Sequence, residues 1–279
     1  MSKIKKGDIV GRISYGKDIA FVVERIIKTK DNKKFAILKG LTIRVQADSN
    51  LDDLELMEPK QIEQHVRALE ETVAKRIQKH ENSDLSNQKE NNLFRDKTII
   101  YTGKILHIDG DRKYSEKSNR YYKKIGLNAI VRNIPERNQP YNIAHLLKRY
   151  KPDILVVTGH DGMIRKGTKF NDLYNYRNSK YFIKTVEEAR KQNLEKDLVI
   201  FAGACQSYYE GLMMAGANFA SSPARILIDF MDPLVVAEKI ALTNSDKFVT
   251  IRDIESELRD GQRGVSGIGG MGKKKTLLI

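Results

Sequence analysis

The chain of 279 residues has no tryptophan, a single cysteine, only six prolines and no long apolar run. Each scarcity excludes something. One thiol makes no internal disulfide and cannot build a cysteine-rich zinc site, which suits a reducing compartment. The longest apolar stretches, such as Leu198 to Ala202, fall far short of the ~20 residues that cross a bilayer. Met1 to Asp8 is basic and lacks the apolar segment of a secretory leader, so the sequence reads as a soluble protein that is not exported. The five histidines show no His-Glu-x-x-His or other paired-ligand spacing, and no metal or other cofactor is expected.

What is present points to a folded chain. Apolar residues make up 40% and charged residues 31%, a balance that supplies a core and excludes a disordered polyelectrolyte. At roughly 100–200 residues per domain, the length suits one medium domain and one small one. The formal charge of +14 is unevenly spread: residues 101–192 carry 20 basic and 9 acidic side chains, whereas 193–279 carry 10 and 11. The local excess is either a solvated face or a patch for a polyanion or an acidic protein.

Between residues 4 and 57, the runs Ile9-Val10, Ile19 to Val23, Phe35 to Leu38 and Leu41 to Val45 alternate with turn signals at Gly7-Asp8, Tyr15-Gly16, Asp31-Asn32 and Lys39-Gly40. They predict a small antiparallel barrel over 1–58. The opening Lys-Lys-Gly-Asp-Ile-Val resembles the first strand of SH3-like barrels. Pro59 opens a helical pattern of Ile62, Val66, Leu69, Val73 and Ile77 that decays into a polar run, so 59–97 is expected to be a helix and a flexible polar linker. From Thr98 strands and helices alternate, predicting for 98–260 an α/β fold with a mostly parallel sheet flanked by helices. Residues 261–279 combine six glycines in the first twelve positions with Lys273-Lys274-Lys275, and read as a flexible tail.

Two strand ends carry the chemistry. Ile154 to Thr158 is followed by Gly159-His160-Asp161-Gly162, and Leu198 to Ala202 by Gly203-Ala204-Cys205-Gln206-Ser207. In a parallel sheet the loops beyond the carboxyl ends of the strands form the ligand crevice. If these strands are neighbours, an imidazole and the chain's one thiol open onto a single edge. A thiol is activated by a nearby imidazolium or helix N-terminus, and the backbone N–H groups of Cys205 and Gly162 are candidates for holding an oxyanion. His107 and His145 read as structural, and His65 and His80 as solvated.

The apolar strand followed by His and Gly, and the apolar strand followed by Ala-Cys, resemble the caspase, legumain, clostripain and gingipain group of cysteine peptidases. Over essentially the whole chain, the Lys-Gly-Asp-Ile-Val, Thr-Gly-His-Asp-Gly and Gly-Ala-Cys-Gln-Ser blocks resemble the YabG peptidase family of spore-forming Firmicutes. That resemblance implies a caspase-like fold and a sporulation-specific peptidase that trims spore coat and other sporulation proteins, made in the mother cell cytoplasm. By position, Cys205 is the implied nucleophile and His160 the general acid/base. In the wider group Gly follows His directly; here Asp161 intervenes, which leaves the second oxyanion donor open.

Caspase-like peptidases build the pocket for the residue before the cut partly from the end of the first strand. Asp109 and then Asp111 are therefore the leading candidates for an acidic pocket that accepts Arg or Lys. Asp229 and Asp232 compete for the same role. Two other function classes stay open. A glutamine amidotransferase-like enzyme is disfavoured because no histidine follows Cys205. A non-enzymatic nucleic-acid or protein binding module would use the barrel and the basic stretch, where Tyr114, Tyr121, Tyr122, Tyr174, Tyr176 and Tyr181 are interleaved with Lys and Arg.

Overall fold

The computed structural model describes residues 4–28, 33–91, 98–165, 167–192 and 197–278. The Asp31-Asn32 turn signal and positions 92–97 of the expected linker lie outside the described residues. The first strands are β1 (Ile9–Arg12), β2 (Phe21–Lys28), β3 (Lys34–Gly40), β4 (Gln46–Asn50) and β5 (Leu54–Leu56), paired antiparallel in the order β4-β3-β2-β1-β5. Val10, Phe21, Val23, Ala36 and Leu38 form its apolar core. One expected strand is misplaced. Leu41 to Val45 is not a strand: β3 stops at Gly40, pairing resumes at Gln46, and the residues between form a tight turn.

Helix α1 (Pro59–Asn91) begins at the predicted proline and turns Leu69, Val73 and Ile77 toward the core. It continues through the polar run after His80 that was expected to be linker. That run mixes helix-favouring Glu, Gln and Lys with a larger share of Asn, Ser and Asp, and extends the helix with no apolar stripe. Arg76 of α1 reaches Glu238 at 3.1 Å, and Glu238 also accepts from the Tyr121 hydroxyl at 2.5 Å.

After β6 (Thr98–Tyr101) come β7 (Ile105–Asp109), α2 (Arg112–Lys124), β8 (Ala129–Asn133), α3 (Gln139–Tyr150), β9 (Ile154–Thr158), α4 (Ser179–Lys191), β10 (Val199–Ala202), α5 (Tyr209–Met214), β11 (Phe219–Ser221) and α6 (Asp232–Leu242). Then follow β12 (Phe248–Val249), β13 (Val265–Gly267), β14 (Gly270–Met271) and β15 (Lys275–Leu278). The main sheet has the order β13-β11-β10-β9-β7-β8, parallel except for β13. The protein is thus mixed α/β with a mostly parallel, helix-flanked sheet.

Alternation along each strand sends side chains to opposite faces. Ile105, Ile154, Val156, Val199 and Phe201 meet α1, α2 and α6 on one face, whereas Leu106, Ile108, Leu155, Val157 and Ile200 meet α3, α4 and α5 on the other. Because β8 lies on one side of β7 and β9 on the other, the strand order reverses between β7 and β9. In open sheets that reversal opens a crevice at the carboxyl ends.

The segment read as a flexible tail is built into sheets: β13 pairs with β11, β14 with β12 and β15 with β6. Its glycines serve close approach, since a Cβ on Gly267 would overlap the Asn218 carbonyl. Among the described residues no helix is long and apolar enough to cross a membrane.

Candidate active site

Three strand ends converge on the crevice. Asp109 closes β7, His160 stands two residues beyond β9, and Cys205 three residues beyond β10. All three are fully buried. The turn carrying Cys205 depends on Gly203, whose φ of +113° and crowding against the Ser221 hydroxyl exclude a side chain. Helix α5 starts only at Tyr209 and is six residues long, so the thiol does not sit on a helix N-terminus as the sequence suggested.

The turn between β3 and β4 fills this crevice. The Arg44 carbonyl oxygen accepts from the N–H of Cys205 at 3.2 Å and from the N–H of Asp161 at 3.3 Å. The Gln46 N–H donates to the Asp161 carbonyl at 2.7 Å, so the segment runs parallel to the residues after β9. Gly162 was a candidate oxyanion donor, but its N–H donates to the Asp161 carboxylate at 2.9 Å. The two N–H groups that converge on one acceptor are those of Cys205 and Asp161, both on the Arg44 carbonyl oxygen. Gly162 has another use: a Cβ there would overlap the Gln46 carbonyl, so glycine allows the N-terminal sheet to approach.

The side chain of Arg44 is also fully buried and pairs with Asp109. Its guanidinium lies 4.6 Å from the ring centre of Tyr114 and 5.2 Å from that of Phe230. Asp109 further accepts from the Thr158 hydroxyl at 2.7 Å and the Asp111 N–H at 2.8 Å. Burial works to raise the Asp109 carboxyl, but the Arg44 charge and the His107 contact outweigh it and hold the pKa well below the usual carboxylate range. Tyr114 and Phe230 stack on each other with ring centres 5.6 Å apart, so the guanidinium lies beside the pair. A carboxylate next to aromatic rings is a seat for a planar cation, and guanidinium suits it better than ammonium. Asp111 is not part of that contact: it caps α2, accepting from Lys113 and Tyr114 N–H at 2.8 and 3.2 Å. Asp229 and Asp232 likewise accept from backbone N–H groups, of Met231 and of Asp229 and Arg259.

His160 donates its backbone N–H to Glu136 at 2.8 Å, and its ring meets Tyr114 edge-on at 5.4 Å. Nε2 lies 3.3 Å from the Gly40 carbonyl and Nδ1 has no partner among the described residues. Burial holds the imidazole below its usual pKa, with Asp111 pulling the other way. Asp161 is not its orienter: that carboxylate accepts from Ser179 and Ser207 hydroxyls at 2.5 and 2.9 Å, and burial pushes its pKa up to about 6.

Cys205 packs into the apolar core of the N-terminal sheet. Its Sγ accepts from the Ile228 N–H at 3.4 Å, and burial pushes its pKa up to about 12. No hydrogen bond joins it to His160 among the described residues. In this arrangement the thiol is neutral and covered.

His107 is structural, bridging Tyr122 and Thr158 at 3.2 and 2.7 Å. His145 is exposed on α3, and His80 lies 3.4 Å from Glu238. Four contributors escaped the sequence reading: Arg44, the Asp161 backbone, Glu136 and Phe230. Arg44 sits in the β-branched run Thr42-Ile43-Arg44-Val45, which reads as strand, and no local signal marks its side chain for the distant Asp109. Among the described residues no cluster of His, Cys, Asp and Glu side chains could hold a metal ion.

No solved structure matches the chain. Residues 5–278 match the profile of a family described as YabG peptidase U57. The chain is 37% identical over 277 residues to the sporulation-specific protease YabG of Bacillus subtilis (strain 168), an alignment covering 94% of this chain and 93% of that one. A match of nearly full length to the profile, together with that degree of identity, assigns the lineage: the chain belongs to the YabG peptidase family.

Proposed function

We propose that this peptidase is a sporulation-specific cysteine endopeptidase of caspase-like fold that processes spore coat and other sporulation proteins in the mother cell, cutting after arginine. Cys205 is its nucleophile and His160 its acid/base. The N-terminal sheet is read as a small SH3-like barrel placed against the catalytic domain. One observation carries the reading: a buried arginine has its guanidinium on Asp109 beside the stacked rings of Tyr114 and Phe230 while its carbonyl oxygen is held by the N–H groups of Cys205 and Asp161. A substrate residue bound in that way presents its carbonyl carbon to the cysteine.

In the proposed reaction the Cys205 sulfur, after giving its proton to His160, attacks the carbonyl carbon. The oxygen gains negative charge facing two N–H donors, each typically worth about 3 to 4 kcal/mol in acyl transfer. The C–N bond breaks as His160 returns the proton to the leaving amine, and a thioester remains on Cys205. Water, deprotonated by His160, adds to the thioester; the C–S bond breaks, releasing the acid and restoring the thiol. The acid and aromatic faces of the pocket select arginine over lysine, because a planar guanidinium stacks and a rounded ammonium does not.

The test is hydrolysis of a peptide panel that varies only the residue before the cut among Arg, Lys, Leu and Asp. Arginine is expected to lead, lysine to follow, and C205A and H160A to abolish cleavage. Undiminished cleavage by C205A would remove the mechanism, and preference for leucine or aspartate would remove the pocket.

A further inference from the structure

We infer that the turn between β3 and β4 is a built-in pseudosubstrate: Arg44 occupies the seat of a substrate arginine, and the resting chain is closed to protein substrates until this turn withdraws. The inference rests on the cysteine peptidase reading above and adds to it a regulatory state.

Arg44 makes both kinds of contact that the cleft offers a substrate, side chain to Asp109 and carbonyl to the N–H groups of Cys205 and Asp161. The turn is anchored on both sides. Gly40 accepts His160 Nε2 at its carbonyl, and Gln46 is bound by the Asp161 carbonyl and by Asn178 Nδ2, the latter at 2.8 Å. Further along β4, Asp48 pairs with Arg177.

Several details make this an inhibitory rather than a productive pose. The Val45 N–H, which would be the leaving nitrogen, donates to the Ile43 carbonyl at 2.9 Å, and the Val45 carbonyl accepts from Gly40 N–H at 2.8 Å. The chain is therefore folded tightly around Arg44 rather than extended. The imidazole faces the Gly40 carbonyl instead of the Val45 nitrogen, and Sγ is engaged by Ile228. The turn blocks the cleft without offering its own bond for attack.

The seat is also one the turn can leave. Among the described residues Nη1 of the guanidinium is paired, whereas Nε and Nη2 are buried and find no partner. A buried ion pair with poor coverage gains little over its desolvation cost. A substrate arginine whose flanking chain adds its own contacts can displace it, and the apparent affinity for substrate is reduced by the fraction of chains that are closed.

The experiment measures the rate at which iodoacetamide alkylates Cys205 in the full chain, read by intact mass, beside hydrolysis of a short arginyl peptide amide. R44A is expected to be alkylated at least about tenfold faster than the unaltered chain, and to cleave the peptide faster, because the closed fraction is lost. Since R44A leaves Asp109 without its partner and can lose its fold, a second arm uses the unaltered chain with agmatine, which carries the guanidinium but no carbonyl. Agmatine is expected to accelerate alkylation saturably, and norleucine amide to leave it unchanged. Equal alkylation of both chains, with no agmatine effect, overturns the closed state; peptide cleavage by both chains would then leave the peptidase reading standing. Accelerated alkylation in R44A with no cleavage of any peptide overturns the peptidase reading, and the pseudosubstrate role with it.

Discussion

Replacing Arg44 or Asp109 singly should be far more damaging than replacing both. The two side chains are fully buried and face each other across 65 positions of sequence. Removing one member of a buried pair typically costs about 3 to 5 kcal/mol, since the other charge stays buried without compensation. In R44M, Asp109 keeps the Thr158 hydroxyl and the Asp111 N–H, which places the loss near about 3 kcal/mol. In D109N the guanidinium has only the faces of Tyr114 and Phe230, so the loss lies toward about 5 kcal/mol. The double variant R44M/D109N buries no charge, and its loss should be about 1 kcal/mol or less. For a chain of this size about 1 kcal/mol moves Tm by about 2–4 °C, so R44M should melt about 6–12 °C lower. Urea unfolding of the four proteins, all in a C205A background to prevent self-digestion, gives the coupling directly. These figures give a coupling of about 7 kcal/mol, and one of at least about 3 kcal/mol is required by the pairing. Single effects that add to within about 0.5 kcal/mol in the double variant would refute the pairing and with it the seat.

Other expectations follow from the same geometry. In the closed chain the thiol titrates near 12, so alkylation of Cys205 should stay slow from about pH 7 to 9 and climb about tenfold per pH unit without levelling; in R44A it should be faster and level off with a midpoint nearer the ordinary ~8.5. A midpoint near ~8.5 in the unaltered chain would contradict the burial. His107 and His160 are held neutral by burial, whereas in the unfolded chain each titrates near ~6.5. The unfolded state therefore takes up protons first, and stability, unaffected above ~6.5, should fall below it by up to about 1.4 kcal/mol per pH unit for each histidine. Asp161, which burial raises to about 6, takes up protons in the folded state below that pH and opposes the histidines, so the slope is read by comparing urea midpoints of H107Q and H160Q with the unaltered chain across about pH 5 to 8; variants with an unchanged pH dependence would refute it. Gly203→Ala should cost about 1–3 kcal/mol, because alanine disfavours the positive φ and its methyl meets the Ser221 hydroxyl; an unchanged Tm would show that the turn relaxes freely.

The strand ends were legible because burial on both faces writes strands as unbroken apolar runs, and glycine marks where they stop. Ile154 to Thr158 and Val199 to Ala202 are such runs, and their adjacency in the sheet brings His160 and Cys205 to one edge. Asp109 stands at the end of β7, a strand of the same kind. What could not be read were contacts set by the packing of distant elements. Whether residue 161 or 162 presents its N–H to the crevice depends on where the Asp161 carboxylate turns, and that is decided by Ser179 and Ser207. The strands β13, β14 and β15 have little apolar pattern because each is short and leans on a partner strand far away in sequence. Glu136 gave no signal at all, yet Gly110 and Gly159 are glycines because a Cβ on either would meet its carboxylate.

The position of Arg44 near the start of the chain has a consequence for synthesis. The N-terminal sheet is closed by strands that all lie before residue 57, so its pairing is complete long before the main sheet can form. Domains generally fold from the N-terminus while the ribosome adds about 5–20 residues per second. Some 160 residues separate Arg44 from Cys205, so the turn is made about 8–30 s before the thiol it covers. The edge strand β13 emerges later still. On the function proposed above, Cys205 is thus born into a cleft whose occupant is already waiting, and a newly made chain passes through no stage in which an assembled, vacant cleft faces its neighbours in the cell.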